Sequence, residues 1–176
     1  MRLNNKHLIL IGFKHTGKTA VGQLLAAKLH CDFIDSDMMI EQSYRLQYHL
    51  AYTGREIYQV HGESFFRTLE RQTLTQLLNN PPSVIALGGG TPMAESNQIM
   101  IKAHLVIHIT ASPEVVFARI MAAGKPAFFP EQENPQLYFQ RLWTQRQKIY
   151  QALAEITVDN SGAVAETVEK ILEKIS

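Results

Sequence analysis

A phosphate-binding pattern, G-x-x-x-x-G-K-[ST], spans residues 12–19. It directly follows the apolar run 8–11, and apolar residues recur at helical spacing after it, at Val21, Leu24, Leu25 and Leu29. Backbone N–H groups of such a turn point at an anion, and the helix that follows adds the positive end of its dipole. Lys18 would reach the β and γ phosphates, and the Thr19 hydroxyl would hold Mg²⁺. The alternative is a glycine-containing surface turn that binds nothing, and the strand–loop–helix context favours the phosphate site.

Two carboxylates, Asp35 and Asp37, follow the second apolar run of the chain. In open parallel sheets, ligands bind beyond the carboxyl ends of the strands, so these side chains are candidates for chemistry. One carboxylate could face Mg²⁺ and a reacting hydroxyl while the other grips a polyol. The alternative is helix N-capping by Ser36 or Asp37, and the local sequence favours neither.

Three consecutive glycines, Gly88, Gly89 and Gly90, follow the third apolar run. Such a triplet is conformationally expensive at the end of a strand unless the backbone must approach something closely. Substrate or phosphate could be that partner, and a flexible turn is the alternative. In the helical segment that precedes the run, Arg67 and Glu70 stand at neighbouring positions where they could pair.

Short apolar runs alternate with segments of helical periodicity along the chain. The predicted strands are residues 7–11, 32–34, 83–87, 105–109 and 156–158. This alternation predicts a three-layer α/β/α fold, in which helices cover both faces of a five-stranded parallel sheet. The proline-punctuated segment 124–135 predicts a lid between two helices, with an ordinary connector as the alternative.

Length and composition predict a single domain over residues 1–176, with the lid, about 122–136, as a subregion. The net charge is +1 and the basic residues are scattered, which argues against nucleic acid or an anionic membrane as a partner. One cysteine, Cys31, excludes an internal disulfide framework. Because no signal region and no run of the ~20 apolar residues that span a bilayer is present, we expect a cytoplasmic protein. A monomer is the default expectation.

The order and separation of these motifs resemble the shikimate kinase family of P-loop small-molecule kinases. The succession consists of residues 12–19, Asp35-Ser36-Asp37 with Glu41, Gly62-Glu63 with Phe66-Arg67 and Glu70, the glycine triplet, and Arg146 with Tyr150. The resemblance covers nearly the whole chain. It implies a nucleoside-monophosphate-kinase-like fold with a mobile lid. It also implies ATP-dependent phosphorylation of the 3-hydroxyl of shikimate, with Mg²⁺, in aromatic amino acid biosynthesis.

The resemblance also implies individual roles. Asp37 would hydrogen-bond the shikimate hydroxyls, Arg67 and Arg146 would grip the carboxylate, and Gly89, between Gly88 and Gly90, would present its N–H to the substrate. Asp35 would lie near Mg²⁺, directly or through water, and would orient or deprotonate the attacking hydroxyl. The implied catalytic residues are Lys18, Asp35 and Lys125. The implied ATP-binding residues are Gly12, Lys14, His15, Thr16, Gly17, Lys18, Thr19, Ala20, Lys125 and Arg119, the last against adenine.

The sequence departs from the family pattern in three places. Lids of the family usually read Arg-Pro-Leu-Leu, whereas this chain has Lys125-Pro126-Ala127-Phe128, and lysine lacks the bidentate fork of arginine. Lys14-His15 replaces a small residue and glycine, and a histidine that needs φ > 0 carries strain. Segment 47–52 is more aromatic than expected. Two alternatives therefore stay open: a related kinase for another hydroxylated acid or polyol, and a catalytically weak nucleotide-binding paralogue with a regulatory or interaction role.

Overall fold

The strands form one parallel sheet in the order β2-β3-β1-β4-β5 in the computed structural model, which describes residues 5–126 and 129–175. Each strand begins and ends within one residue of its predicted bounds. The prediction of a five-stranded parallel sheet is confirmed, because every pairing among the described strands is parallel. The strands are β1 (Leu8–Ile11), β2 (Phe33–Asp35), β3 (Val84–Ala86), β4 (Leu105–Thr110) and β5 (Ile156–Asp159).

Helices cover both faces of the sheet. Along β1, Leu8 and Leu10 pack against one face, and Ile9 and Ile11 pack against the other, since successive side chains of a strand point in opposite directions. The first face is covered by α1 and α7, and the second by α3, α4, α5 and α6. The helices are α1 (Lys18–Leu29), α2 (Ser36–Tyr48), α3 (Gly54–Leu78), α4 (Glu95–Ile101), α5 (Pro113–Ala122), α6 (Pro135–Leu153) and α7 (Val164–Ile175).

The aromatic residues of segment 47–52 pack where α2 and α3 are in contact. Tyr44 is fully buried, and its ring centroid lies 4.6 Å from that of Tyr48 and 5.8 Å from that of Tyr52. Its hydroxyl hydrogen-bonds His61 Nε2 at 2.7 Å. Tyr48 and Tyr52 therefore pack around the Tyr44 ring, whose hydroxyl joins α2 to His61 of α3.

The predicted lid is an irregular connection between α5 and α6, of which Ala127 and Phe128 lie outside the described residues. The ends of the predicted domain, residues 1–4 and 176, also lie outside them. The single-domain assignment over residues 1–176 therefore stays a prediction. None of the described helices combines the length and the apolar character needed to cross a membrane.

Candidate active site

Two cavities open beside the phosphate loop, which is the turn between β1 and α1. The first, of about 790 Å³, is called here the phosphate-loop cavity and is lined by Gly17, Lys18, Thr19, Ala20, Asp35 and Arg119, among others. The second, of about 580 Å³, is called the arginine cavity and is lined by Arg55, Arg67, Glu70, Gly88, Gly90 and Arg146, among others. Both volumes lie in the range of small-molecule sites.

The shape of the phosphate loop depends on glycine at two positions. Gly12 has φ 146°, and a Cβ there would fall 2.2 Å from the Ile109 carbonyl oxygen. Gly17 has φ 93°, and its Cβ would fall 2.2 Å from Asn160 Nδ2. Glycine is therefore needed at both positions, for space as well as for backbone conformation.

His15 has φ 65°, which lies in the left-handed region. A non-glycine residue in this conformation costs about 1 kcal/mol, so the strain expected from the sequence is present. Burial is the main cause that lowers the pKa of His15 from its usual value, and the charge of Lys14 adds to the shift. The His15 imidazole is therefore neutral at pH 7.

Lys18 turns its ammonium back onto the loop. Its Nζ donates to the carbonyl oxygens of Gly12 and Phe13, at 3.0 and 2.9 Å. Burial lowers the pKa of Lys18 to about 8, although the carboxylates of Asp37 and Asp35 oppose the shift. An anion that enters the cavity would offer this ammonium a stronger partner than two neutral carbonyl groups.

Thr19 and Asp35 place two oxygen ligands side by side. Thr19 Oγ1 donates to Asp35 Oδ2 at 2.8 Å, and Asp35 Oδ1 accepts from the Asp37 backbone N–H at 3.0 Å. Asp35 is therefore the N-cap of α2, and the alternative that Ser36 or Asp37 caps this helix is wrong, because the helix already begins at Ser36. A hydroxyl and a carboxylate at this separation are suited to Mg²⁺.

Asp37 lines both cavities. Asp37 is exposed to solvent at the cavity wall, but the surrounding protein atoms remove part of the hydration of its carboxylate. This desolvation raises the pKa of Asp37 to about 6; repulsion by Asp35 adds to the shift, and the charge of Lys18 opposes it. The Asp37 carboxylate can thus accept a proton more readily than an ordinary aspartate.

The glycine triplet makes close approaches to side chains of the protein itself. A Cβ on Gly88 would fall 2.4 Å from Asp37 Oδ1, and a Cβ on Gly90 would fall 2.4 Å from Arg67 Nη1. The triplet therefore makes close approaches to these two side chains, and the approach of substrate or phosphate stays a prediction. Glycine here leaves room for Asp37 and Arg67.

Arg67 and Arg146 are two of the three described arginines that line the arginine cavity, the third being Arg55. Arg67 pairs with Glu70, as its spacing predicts, and also with Glu63 at 3.3 Å. Arg146 lies 5.2 Å above the Phe13 ring centroid, and its Nη1 donates to the Gly89 carbonyl oxygen at 3.5 Å. Because a planar guanidinium matches a carboxylate, this cavity can hold a small carboxylic acid.

Of three further predicted site residues, Arg119 lines the phosphate-loop cavity, whereas Thr16 and Lys125 are not among the described lining residues of either cavity. Arg119 lines the phosphate-loop cavity and donates from Nη1 to the His15 carbonyl oxygen at 3.2 Å. Thr16 is buried, and its hydroxyl donates to the Phe13 carbonyl oxygen. Lys125 Nζ donates to the Pro130 carbonyl oxygen at 2.9 Å, and Lys125 does not line either cavity as the described residues define them.

One supporting residue, Asn160, was missed from the sequence, and a second, Tyr150, was named there beside Arg146 without a role. Asn160 Nδ2 donates to the Thr16 carbonyl oxygen at 2.9 Å, and Asn160 Oδ1 accepts from Thr167. Tyr150 donates its hydroxyl to the Gly89 carbonyl oxygen at 2.6 Å. Asn160 could have been found, because it directly follows the fifth strand and ligands of parallel sheets gather there.

Comparison with known proteins identifies relatives over almost the full length. The model of a family described as "Shikimate kinase" matches residues 15–176. The shikimate kinase of Thermodesulfovibrio yellowstonii is 35% identical over 175 residues, which cover 96% of this chain and 94% of that protein. The shikimate kinase of Caldanaerobacter subterraneus is 32% identical over 171 residues, with coverage of 97% and 94%. A structure of shikimate kinase from Acinetobacter baumannii in complex with shikimate superposes with a TM-score of 0.86 at 30% identity, with coverage of 98% and 94%.

Proposed function

Because this chain belongs to the shikimate kinase family, we propose that its two cavities hold ATP and shikimate on either side of Asp37. The reaction is the ATP-dependent phosphorylation of shikimate to shikimate 3-phosphate in aromatic amino acid biosynthesis. The observation that carries this assignment of the cavities is that Asp37 lines both of them. A phosphoryl group that leaves one cavity can therefore meet a hydroxyl group held in the other.

ATP occupies the phosphate-loop cavity in this proposal. The loop amides and the Lys18 ammonium bind the β and γ phosphates, and Ala20 and Arg119 flank the rest of the nucleotide. Thr19 Oγ1 would hold Mg²⁺, and Asp35, which lies next to it, would be a further ligand directly or through water. The metal ion neutralises charge on the phosphate oxygens when it is bound.

Binding of ATP is expected to take up protons near pH 8. The pKa of Lys18 is lowered to about 8 by burial, so about half of the ligand-free molecules carry a neutral amine at that pH. The phosphates favour the ammonium, so its pKa rises on binding, and ATP affinity falls as the pH increases above 8. Calorimetry of Mg²⁺–ATP binding in two buffers with different ionisation enthalpies measures the uptake. A heat that is the same in both buffers at pH 8 contradicts this placement of Lys18.

Shikimate occupies the arginine cavity. Arg67 and Arg146 bind its carboxylate, and the backbone of the glycine triplet lies beside the ring. Arg146 and Tyr150 both donate to the Gly89 carbonyl oxygen, which fixes the orientation of the peptide that follows. The acid is thus held by groups on α3, α6 and the loop after β3.

The transfer itself moves one phosphoryl group and one proton. The 3-hydroxyl oxygen of shikimate forms a bond to the γ phosphorus, and the bond from that phosphorus to the bridging oxygen breaks, which leaves ADP. The hydroxyl proton goes to the Asp37 carboxylate. Asp37 suits this role better than Asp35, because both carboxylate oxygens of Asp35 already accept hydrogen bonds, from Thr19 and from the Asp37 backbone.

Replacing Gly90 with alanine is expected to raise the KM for shikimate by at least about tenfold. The new Cβ would fall 2.4 Å from Arg67 Nη1, so the guanidinium would have to move away from its position in the cavity. The KM for ATP is expected to stay within about twofold, since Arg67 lines only the arginine cavity of the two. Steady-state kinetics with each substrate varied in turn measures both. Gly162→Ala is the control, because its Cβ makes an ordinary contact 3.5 Å from Glu166. Equal losses for the two substrates would contradict the assignment of the cavities.

The proposed function is tested by ADP release coupled to a reporter enzyme, with shikimate, quinate or gluconate as the acceptor. We expect a kcat/KM for shikimate well above the values for the other two acids. A higher value for quinate or gluconate would favour the related kinase for another hydroxylated acid or polyol. ATP binding without ADP release on any acceptor would favour the nucleotide-binding paralogue.

The oligomeric state, the cellular location and the lid also belong to this proposal. We expect a monomer in the cytoplasm, with one kinase domain over residues 1–176. Segment 122–136 is expected to close over the bound substrates, and Lys125 is expected to reach the phosphates in the closed state. This closure would require Lys125 to exchange its bond to the Pro130 carbonyl oxygen for a phosphate oxygen.

A further inference from the structure

Few residues connect the two cavities. Among the described residues, the lining shared by the phosphate-loop cavity and the arginine cavity consists of Lys14, His15, Asp37, Gly89 and Ala123. A phosphoryl group that passes from a nucleotide on one side to an acid on the other must cross this junction. The charges of the junction residues therefore act on the group while it is in transit.

Lys14 is the junction residue that carries a positive charge at pH 7. His15 is neutral there, because burial and the neighbouring lysines lower its pKa. The other described cations of the site lie to one side: Lys18 and Arg119 line only the phosphate-loop cavity, and Arg55, Arg67 and Arg146 line only the arginine cavity. Lys125 donates to the Pro130 carbonyl oxygen.

The backbone of Lys14 is held at the junction by close packing. A Cβ on Gly89 would fall 3.2 Å from the Lys14 backbone nitrogen and 3.4 Å from the Gly12 carbonyl oxygen. The absence of a side chain at Gly89 thus allows the phosphate loop to lie directly against the glycine triplet. The start of the Lys14 side chain is fixed at the boundary of the two cavities.

The charge of Lys14 acts on groups on both sides of the junction. It lowers the pKa of Lys18, which lies in the phosphate-loop cavity, and it lowers the pKa of Asp37, which faces both cavities. Desolvation is the largest effect on both groups and the charge of Lys14 is the smallest, since Arg146 also lowers the pKa of Lys18 and Lys18 also lowers the pKa of Asp37. The place of Lys14 at the junction therefore rests on its lining of both cavities.

We propose that Lys14 is a further catalytic residue, which stabilises the negative charge of the phosphoryl group as it passes from ATP to shikimate. This inference rests on the proposed function. Catalysis of phosphoryl transfer comes mostly from positioning and from the neutralisation of charge on the moving group. A cation at the junction contacts that group in the transition state more closely than in bound ATP. Its removal is therefore expected to lower kcat more than substrate binding.

The test is Lys14→Met, which keeps the length of the side chain and removes its charge. We expect kcat to fall by about 100-fold. The dissociation constant for ATP, measured by calorimetry without shikimate, and the KM for shikimate are each expected to change by less than about threefold. Lys14→Arg is expected to recover most of the lost kcat. Lys170→Met, an exposed site on α7, is the matched control and is expected to keep the wild-type rate.

Three results overturn the inference. An unchanged kcat in Lys14→Met shows that the charge is not used. A weaker ATP affinity with unchanged kcat shows that Lys14 serves ground-state binding alone. A large loss in Lys125→Met with none in Lys14→Met assigns the charge to the lid. The wild-type protein in the same assay distinguishes failure of this inference from failure of the proposed function. If the wild type is active and Lys14→Met is equally active, only the inference is contradicted. If the wild type shows no shikimate-dependent ADP release, the proposed function is contradicted, and this inference with it.

Discussion

Replacing Lys18 with methionine is expected to lower kcat for shikimate phosphorylation by about 1,000-fold or more. Lys18 is the cation at the start of α1, and its ammonium already bonds to two carbonyl oxygens of the phosphate loop at 2.9 and 3.0 Å. Loss of this charge leaves the β and γ phosphates without their ammonium partner in the transition state. Steady-state kinetics at saturating ATP and shikimate measures the effect.

The fold is expected to survive this substitution. Burial lowers the pKa of Lys18, which means that the surroundings disfavour the charge before ATP binds. A neutral chain of similar length should therefore not lower the thermal unfolding temperature. Lys28→Met on the same helix is the matched control, because Lys28 forms an exposed ion pair with Glu169. Retention of a tenth of the wild-type kcat in Lys18→Met would contradict the role given to Lys18.

Replacing Asp37 with asparagine is expected to lower kcat by about 100- to 10,000-fold, because an amide cannot take the hydroxyl proton. Asparagine still fills the space beside Gly88 and can still bond to a hydroxyl group, so the KM for shikimate should change much less than kcat. Asp32→Asn, at an exposed position before β2, is the control and should keep the wild-type rate. Kinetics with shikimate varied at saturating ATP separates the two parameters.

The same carboxylate sets an expected pH dependence. The raised pKa of Asp37, about 6, means that the ligand-free protein holds this group protonated below that pH. Proton transfer requires the carboxylate, so kcat/KM for shikimate should fall as the pH is lowered through about 6, and should level off above it. A profile that stays flat down to pH 4.5, the behaviour of an aspartate with an ordinary pKa, would contradict the raised pKa of Asp37.

The strands could be predicted from the sequence because the three central ones, β3, β1 and β4, are largely buried on both faces. Val84, Ile85 and Ala86 are at most 2% exposed, and such a strand appears in the sequence as an uninterrupted apolar run. The phosphate loop was predictable for a different reason. Its glycines have backbone conformations with positive φ that favour glycine, and the pattern is short enough to lie within one turn.

Contacts between distant parts of the chain could not be predicted in the same way. The partners of Gly88 and Gly90 are Asp37 and Arg67, which lie on α2 and α3, and no local pattern in the triplet specifies them. The alternative that Ser36 or Asp37 caps α2 was wrong, because serine and aspartate are both favoured N-cap residues and only the start of the helix identifies Asp35 as the cap.

The position of the Lys125 ammonium also depends on tertiary contacts. Its bond to the Pro130 carbonyl oxygen follows from the path of the connection between α5 and α6, whereas the sequence indicated only a cation in a loop rich in proline. Lys14 presents the opposite case. The sequence showed it as an unusual residue of the phosphate loop, and the shared lining of the two cavities gave it a specific location.

The most direct test of phosphoryl transfer across the Asp37 junction is to identify the product by ³¹P–¹H correlation NMR after incubation with ATP, Mg²⁺ and shikimate. We predict one phosphate monoester per ADP formed, with its phosphorus coupled to the proton on carbon 3 of shikimate. Release of inorganic phosphate in step with ADP, or a phosphorus coupled to the proton of another ring carbon, would contradict it.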